Sequence, residues 1–171
     1  MRREREIMFK KVNGDILIPE TRGRKVIVCH QVNCKGVMGA GLAKQIRDTC
    51  PGVFDSYRCE VMRITAARYS SGNPSVGLGS VLFCPVKEKG FTVANLFAQD
   101  GYGRDRQYTD YDALRKCLNL VHRYAATSKA DVIRIPYKMG CGLAGGDWGV
   151  VLGIMKDTLT GPYEVQIFER G

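Results

Sequence analysis

The stretch Lys25-Val-Ile-Val-Cys-His-Gln-Val32 runs straight into Asn33-Cys-Lys-Gly-Val-Met-Gly-Ala-Gly41 and then Leu42-Ala-Lys-Gln-Ile-Arg-Asp-Thr-Cys50. Its first eight residues form a nearly continuous apolar run, the pattern of a strand buried on both faces. The next nine hold three glycines, at 36, 39 and 41, which suits a turn whose backbone must bend sharply or approach a ligand closely. The last nine read as a helix. Strand, glycine-rich turn and helix together predict a sheet whose faces are covered by helices.

Reading outward from there, Ile7-Met-Phe-Lys-Lys-Val12 is a short first strand. Downstream, Pro51-Gly52 breaks the helix, and residues 53–62 resume it. Residues 65–79, rich in Ser and Gly, read as an exposed loop. Residues 80–86 and 91–98 read as strands around the turn Lys87-Glu-Lys-Gly90. Thr109 can cap the next helix, with Asp112 in its first turn. Tyr111, Leu114, Leu118, Val121 and Ala125 then recur at helical steps and predict one buried stripe. Residues 131–136 are another strand, followed by a loop and by a helix opened by Asp147 that turns Trp148, Val151, Met155 and Leu159 inward. Gly161-Pro162 ends that helix, and residues 163–169 form the last strand. The order β-β-α-β-β-α-β-α-β predicts an α/β fold with helices on both faces of a central sheet, and ligands beyond the carboxyl ends of its strands.

Composition narrows the functions. With 171 residues and 19.0 kDa the chain fits one domain, and 44% hydrophobic with 25% charged residues excludes wholesale disorder. No window approaches the ~20 apolar residues of a membrane span. Met1-Arg-Arg-Glu-Arg-Glu-Ile-Met-Phe-Lys-Lys11 lacks the apolar core of a secretory signal, so a cytoplasmic location is expected, with residues 1–6 a disordered basic end. A net charge of +9 favours anionic partners. Seven cysteines, an odd number without any CxxC, predict reduced thiols rather than a disulfide framework. Cys29 and His30 are neighbours on a strand and point to opposite faces, so with Cys34 they make no metal site.

Two loops carry the chemistry: 32–41, and Met139-Gly-Cys-Gly-Leu-Ala-Gly-Gly-Asp147. Each follows an apolar strand and precedes a helix, whose amino terminus offers unpaired N–H donors to a phosphate. Two such loops in one small basic domain point to a diphosphate held between them. The motif is not Walker A, because Leu42 stands where lysine is required. It is not the dinucleotide fingerprint either, because Lys44 stands where the third glycine belongs.

Asn13-Gly-Asp-Ile16, the 26–46 stretch and Ile135-Pro-Tyr-Lys-Met-Gly-Cys-Gly-Leu-Ala-Gly-Gly-Asp-Trp148 together resemble the macrodomain family, which binds ADP-ribose. The resemblance spans about residues 7–169 in the family's element order. It implies a three-layer α/β/α sandwich with a mixed sheet of about six strands. Within the family the chain is most similar to the branch of ADP-ribose-1″-phosphate phosphatases and terminal ADP-ribose glycohydrolases, through Cys29–Gly36 and Asn95–Arg104.

The resemblance implies these roles. Asp15 accepts from the adenine amine beside Gly14 and the Ile16 backbone. Phe168 packs on adenine. Asn33 holds the distal ribose. Val37, Met38, Gly39, Ala40 and Gly41 lie beneath that ribose and the phosphates. Met139, Gly140, Cys141, Gly142, Leu143, Ala144 and Gly145 wrap the diphosphate. Lys35 and Gln99 approach the distal phosphate or ribose. His30 suits proton transfer, and Asp147 suits orienting a water, with Asn33 beside them. Read as residues alone, Asp15 is equally a turn residue, Asn33 a turn amide, Phe168 core, His30 a buried strand histidine and Asp147 a helix cap.

Two positions depart from the glycohydrolase pattern: Gln99 replaces a lysine, and Ala144 an aspartate. The expectation is therefore an ADP-ribose-binding, metal-independent hydrolase without a cofactor, acting on the distal ribose in phosphatase fashion, as a monomer. A reader of free ADP-ribose, or of ADP-ribose on protein or nucleic acid, is the alternative. A basic nucleic-acid module is the third, for which Tyr102, Arg104, Arg106 and Tyr108 are the nearest interleaving of aromatic and basic residues.

Overall fold

In the computed structural model, which describes residues 9–170, six strands form one sheet in the order β1-β6-β5-β2-β4-β3. They are β1 Phe9–Asn13, β2 Val26–Val32, β3 Val81–Val86, β4 Phe91–Phe97, β5 Val132–Pro136 and β6 Glu164–Glu169. The expectations for residues 1–6, and for the start of the first strand at Ile7 and Met8, lie outside the described residues. All neighbouring strands run parallel except β3, which pairs antiparallel with β4. The sheet is mixed and six-stranded, as expected.

Alternate residues of the central strands feed two cores. Ile27, Cys29, Ala94, Leu96, Ile133 and Ile135 face helices α3 (Tyr111–Ser128) and α4 (Trp148–Thr158). Val26, Val28, Val93 and Val132 face the other way, toward α1 (Gly41–Thr49), which inserts Ile46, and α2 (Pro51–Ser71), which inserts Val53. Tyr57, Val61 and Ile64 of α2 complete that side with Phe97 and Met38. Helices thus cover both faces. Among the described residues, none is long and apolar enough to cross a membrane.

Two expectations about elements need correction. Residues 65–71 are not loop: α2 continues to Ser71 and stops only at Gly72, whose φ of 70° places it in the left-handed region. Arg68 holds that extra turn, donating to Val76 O at 2.8 Å and to Asp100 Oδ1 at 2.6 Å. The cap of α3 is Asp110, not Thr109: the Asp110 carboxylate accepts from Ala113 N at 3.0 Å. Thr109 is drawn aside, its hydroxyl donating to Gly140 O at 2.7 Å.

Strand β3 closes one edge of the sheet. The Phe97 amide donates to Ser80 O, so by the alternation of an antiparallel ladder Pro85 falls at a position whose N–H would point outward. Proline has none to offer there.

Candidate functional site

Because β1, β2, β4, β5 and β6 are parallel, their carboxyl ends meet at one end of the sheet. Five chain segments leave from there, and two adjoining cavities open among them. One, of about 410 Å³, is lined by Gln31, Asn33, Val37, Gly39, Ala40, Ala43, Gln99, Tyr102, Gly103, Arg104, Leu143 and Ala144, with Val32. The other, of about 240 Å³, lies among Gly14, Asp15, Ile16, Gly41, Leu42, Gln45, Pro136, Tyr137, Phe168, Glu169 and Arg170. The backbone from Gly39 to Gly41 is the ridge between them. It leads into α1, whose N-cap position, Ala40, has no side chain to bond the first-turn amides. Those N–H groups stay available to a ligand at the positive end of the helix.

Asn33 is the keystone of the first loop. Its Oδ1 accepts from Lys35 N at 3.0 Å and Val37 N at 3.4 Å, and its Nδ2 donates to Val37 O at 2.9 Å. The buried Tyr57 hydroxyl sits 2.8 Å from the same Oδ1 and accepts from Gly36 N at 3.2 Å. The turn is thus shaped before any ligand arrives.

A chain of amides and hydroxyls ties three segments under the larger cavity. Gln31 Nε2 donates to Gln99 Oε1 at 2.8 Å and to Thr109 Oγ1 at 2.9 Å. The Thr109 hydroxyl in turn donates to Gly140 O, and Gln99 Nε2 donates to Gly101 O at 2.8 Å. A side chain at Gly140 would put its Cβ 2.7 Å from Gln31 Oε1, at a φ of +75°. Only glycine allows the second loop to close over this floor. The same loop is stitched to the segment after β4 by Ala144 O, which accepts from Tyr108 N and Thr109 N.

The expected residues divide into those the cavities bring together and those they do not. Asn33, Val37, Gly39, Ala40, Gln99, Leu143 and Ala144 line the larger cavity. Gly14, Asp15, Ile16, Gly41 and Phe168 line the smaller. Asp15 is exposed, and its Oδ1 accepts from Leu17 N at 2.9 Å, leaving the other oxygen for a ligand.

The remainder lie off both linings. His30 is 2% exposed and lines neither cavity. Its Nε2 lies 2.6 Å from Asn95 Oδ1, while the Asn95 amide donates to Leu82 O. Nε2 therefore carries the proton, and Nδ1 is a buried lone pair without a partner. Burial pushes the imidazole down to about 4, against the Asn95 bond that favours the charged form. Its proton is sealed in the core.

Asp147 caps α4, accepting from Val150 N at 3.2 Å, and lies outside both linings. Lys35 is not part of the larger cavity's lining and pairs with Asp100 at 3.3 Å. Partial burial raises the Asp100 carboxyl, but Arg68 and Lys35 outweigh it and hold it below the usual carboxylate range. Met38 and Met139 are core side chains, at 1% and 4% exposure. Cys141 packs against the α3–α4 core, and Gly142 and Gly145 are exposed on the second loop beyond both linings.

Sequence reasoning missed Gln31, Thr109 and Gln45. Gln31 left a signal, as an amide at the end of an otherwise apolar strand. Tyr102 and Arg104 were noticed as part of the Asn95–Arg104 resemblance and as a mark of nucleic-acid binding, not as cavity lining. No group of three or more metal-ligating side chains gathers among the described residues.

Comparison with solved structures supplies the family context. A protein from Bacteroides thetaiotaomicron is 30% identical, with a TM-score of 0.74 over 94% of this chain and 98% of that one. A macrodomain protein from Streptomyces coelicolor is 29% identical, with a TM-score of 0.72 over 95% and 99%. Thermosipho africanus DarTG in complex with ADP-ribose is 18% identical, with a TM-score of 0.73 over 94% of this chain and 41% of that one. No family model and no curated protein matches the chain. The fold is that of the macrodomains.

Proposed function

We propose that this chain binds ADP-ribose along the ridge from Gly39 to Gly41 and holds it without turning it over. The observation that carries the reading is the pair of cavities on either side of that ridge. Asp15 and Phe168 give the smaller one a carboxylate acceptor and an aromatic face, suited to an aminopurine. Asn33, Gln31 and Gln99 give the larger one neutral amides, suited to ribose hydroxyls. The diphosphate spans the uncapped start of α1, where amide N–H groups meet it. The likeness to the Thermosipho complex agrees in fold.

The distal chemistry favours retention over hydrolysis. Hydrolysis of a 1″-phosphate or a glycosidic linkage is commonly accelerated by a group that takes a proton from water. The lining of the larger cavity holds no carboxylate and no imidazole, since His30 and Asp147 both lie off it. A protein or nucleic acid bearing the ADP-ribose leaves the cleft among the exposed lining residues, which include Tyr102 and Arg104.

Calorimetry with ADP-ribose tests binding, with Asp15→Ala expected to weaken it roughly tenfold by loss of one hydrogen bond to a charged acceptor. Absence of heat with the wild type rejects the reading. Incubation with ADP-ribose-1″-phosphate and with an ADP-ribosylated protein tests retention. Release of phosphate or free ADP-ribose above buffer would make the chain a hydrolase.

A further inference from the structure

Arg134 stands on β5 with its guanidinium in the core, and the side chain is 3% exposed. A buried arginine is costly unless its donors are used. Here Nη1 donates to two main-chain carbonyls of the segment after β1, Ile18 O at 2.6 Å and Ile16 O at 3.1 Å. The guanidinium also lies 5.5 Å from the ring centre of Phe168 and 6.0 Å from that of Phe91. Glu20, on the same segment, supplies the countercharge at 3.8 Å and is equally enclosed.

One side chain thus touches both walls of the smaller cavity. It fixes the carbonyls on either side of Leu17, whose amide orients Asp15, and it lies over the ring of Phe168, which lines the same cavity as Asp15. The separation between carboxylate edge and aromatic face decides whether a planar base with an exocyclic amine fits. We infer that Arg134 is a positioning residue that sets the base selectivity of this cavity, holding Asp15 and Phe168 in register for an aminopurine. The inference rests on the ADP-ribose reading above.

Lysine cannot replace it. An ammonium is a compact, strongly hydrated charge without the planar fork that lets one guanidinium reach two carbonyls and lie over a ring at once.

The experiment compares calorimetric affinities for ADP-ribose and for its hypoxanthine analogue, IDP-ribose, which presents an oxygen where adenine presents the amine. The wild type should prefer ADP-ribose by roughly tenfold, the worth of one charge-assisted hydrogen bond. In Arg134→Met, Arg134→Gln and Arg134→Lys that preference should collapse toward unity, with IDP-ribose affinity little changed. Glu20→Gln, which leaves both carbonyl bonds in place, should keep the preference even where it lowers the melting temperature. A preference that survives in the Arg134 variants overturns the proposal and leaves Arg134 a stabilising residue only.

Hydrogen exchange separates this from failure of the ADP-ribose reading. If the wild type binds neither compound, faster exchange at the Leu17 and Ile18 amides in Arg134→Gln still supports the clamp. Unchanged exchange there overturns it.

Discussion

At the scale of single residues, the cleft is built from groups whose partners lie far away in sequence. His30 and Gln31 are adjacent, yet one is sealed against Asn95 and the other reaches the floor of the larger cavity. Strand alternation separates them, and nothing local in the sequence says which face holds the ligand. This is why the histidine read as a proton carrier and the glutamine was passed over.

The sealed imidazole has a pH consequence. It titrates at about 4 in the folded chain against 6.5 when free, so the unfolded chain takes up protons first as pH falls. Stability is complete above about 6.5 and erodes between there and about 4. Urea unfolding at pH 7 and pH 5 should differ by about 2 kcal/mol more in the wild type than in His30→Gln. Equal pH dependence in the two would contradict the buried neutral form.

Gly140 gives a second residue-level expectation. Gly140→Ala should lower stability by about 1–3 kcal/mol through strain at positive φ and the clash with Gln31. Gly142→Ala, where a Cβ meets nothing within 4 Å, should leave the melting temperature nearly unchanged.

At the scale of elements, hydrophobic period and capping chemistry made most of the fold legible. The buried stripe of α3 holds Leu114, Leu118, Val121 and Ala125, as the spacing predicts, with Ala113 and Cys117 added and Tyr111 only half-buried. What failed were the ends. Thr109 and Asp110 are both good capping residues, and the choice between them is made by Gly140, which claims the threonine from 31 positions away. Asp110→Ala should therefore cost about 1 kcal/mol by loss of the cap. Thr109→Val should leave helix content alone and loosen the floor of the cavity instead. Thermal melts, with near-ultraviolet dichroism of the Tyr102–Tyr108 segment, tell these apart. The last turn of α2 was misread for a like reason: Arg68 anchors it to Asp100, which local composition in 65–71 does not reveal.

At the scale of the whole molecule, the two glycine loops and the alternation of strands and helices announced the architecture. They also led to the diphosphate site proposed at the start of α1, because backbone amides need only glycine and a helix start. The distal chemistry was less legible, since it depends on which side chains a loop turns inward.

Binding should appear as a global property. At a concentration a hundred times its Kd, ADP-ribose should raise the melting temperature by about 5–10 °C. With a net charge of +9, the affinity for this dianion should fall as salt is raised, because free charges are screened beyond ~10 Å at 0.1 M. A salt-independent affinity would assign the attraction wholly to the cleft's own amides.

The proline in the antiparallel border strand has a colloidal consequence. A bare border strand invites another chain to add itself, rung by rung, and the usual end of that process is fibrous precipitate. A missing rung at Pro85 interrupts such stacking on that side, so Pro85→Val should leave the fold intact and lower the concentration at which the protein comes out of solution.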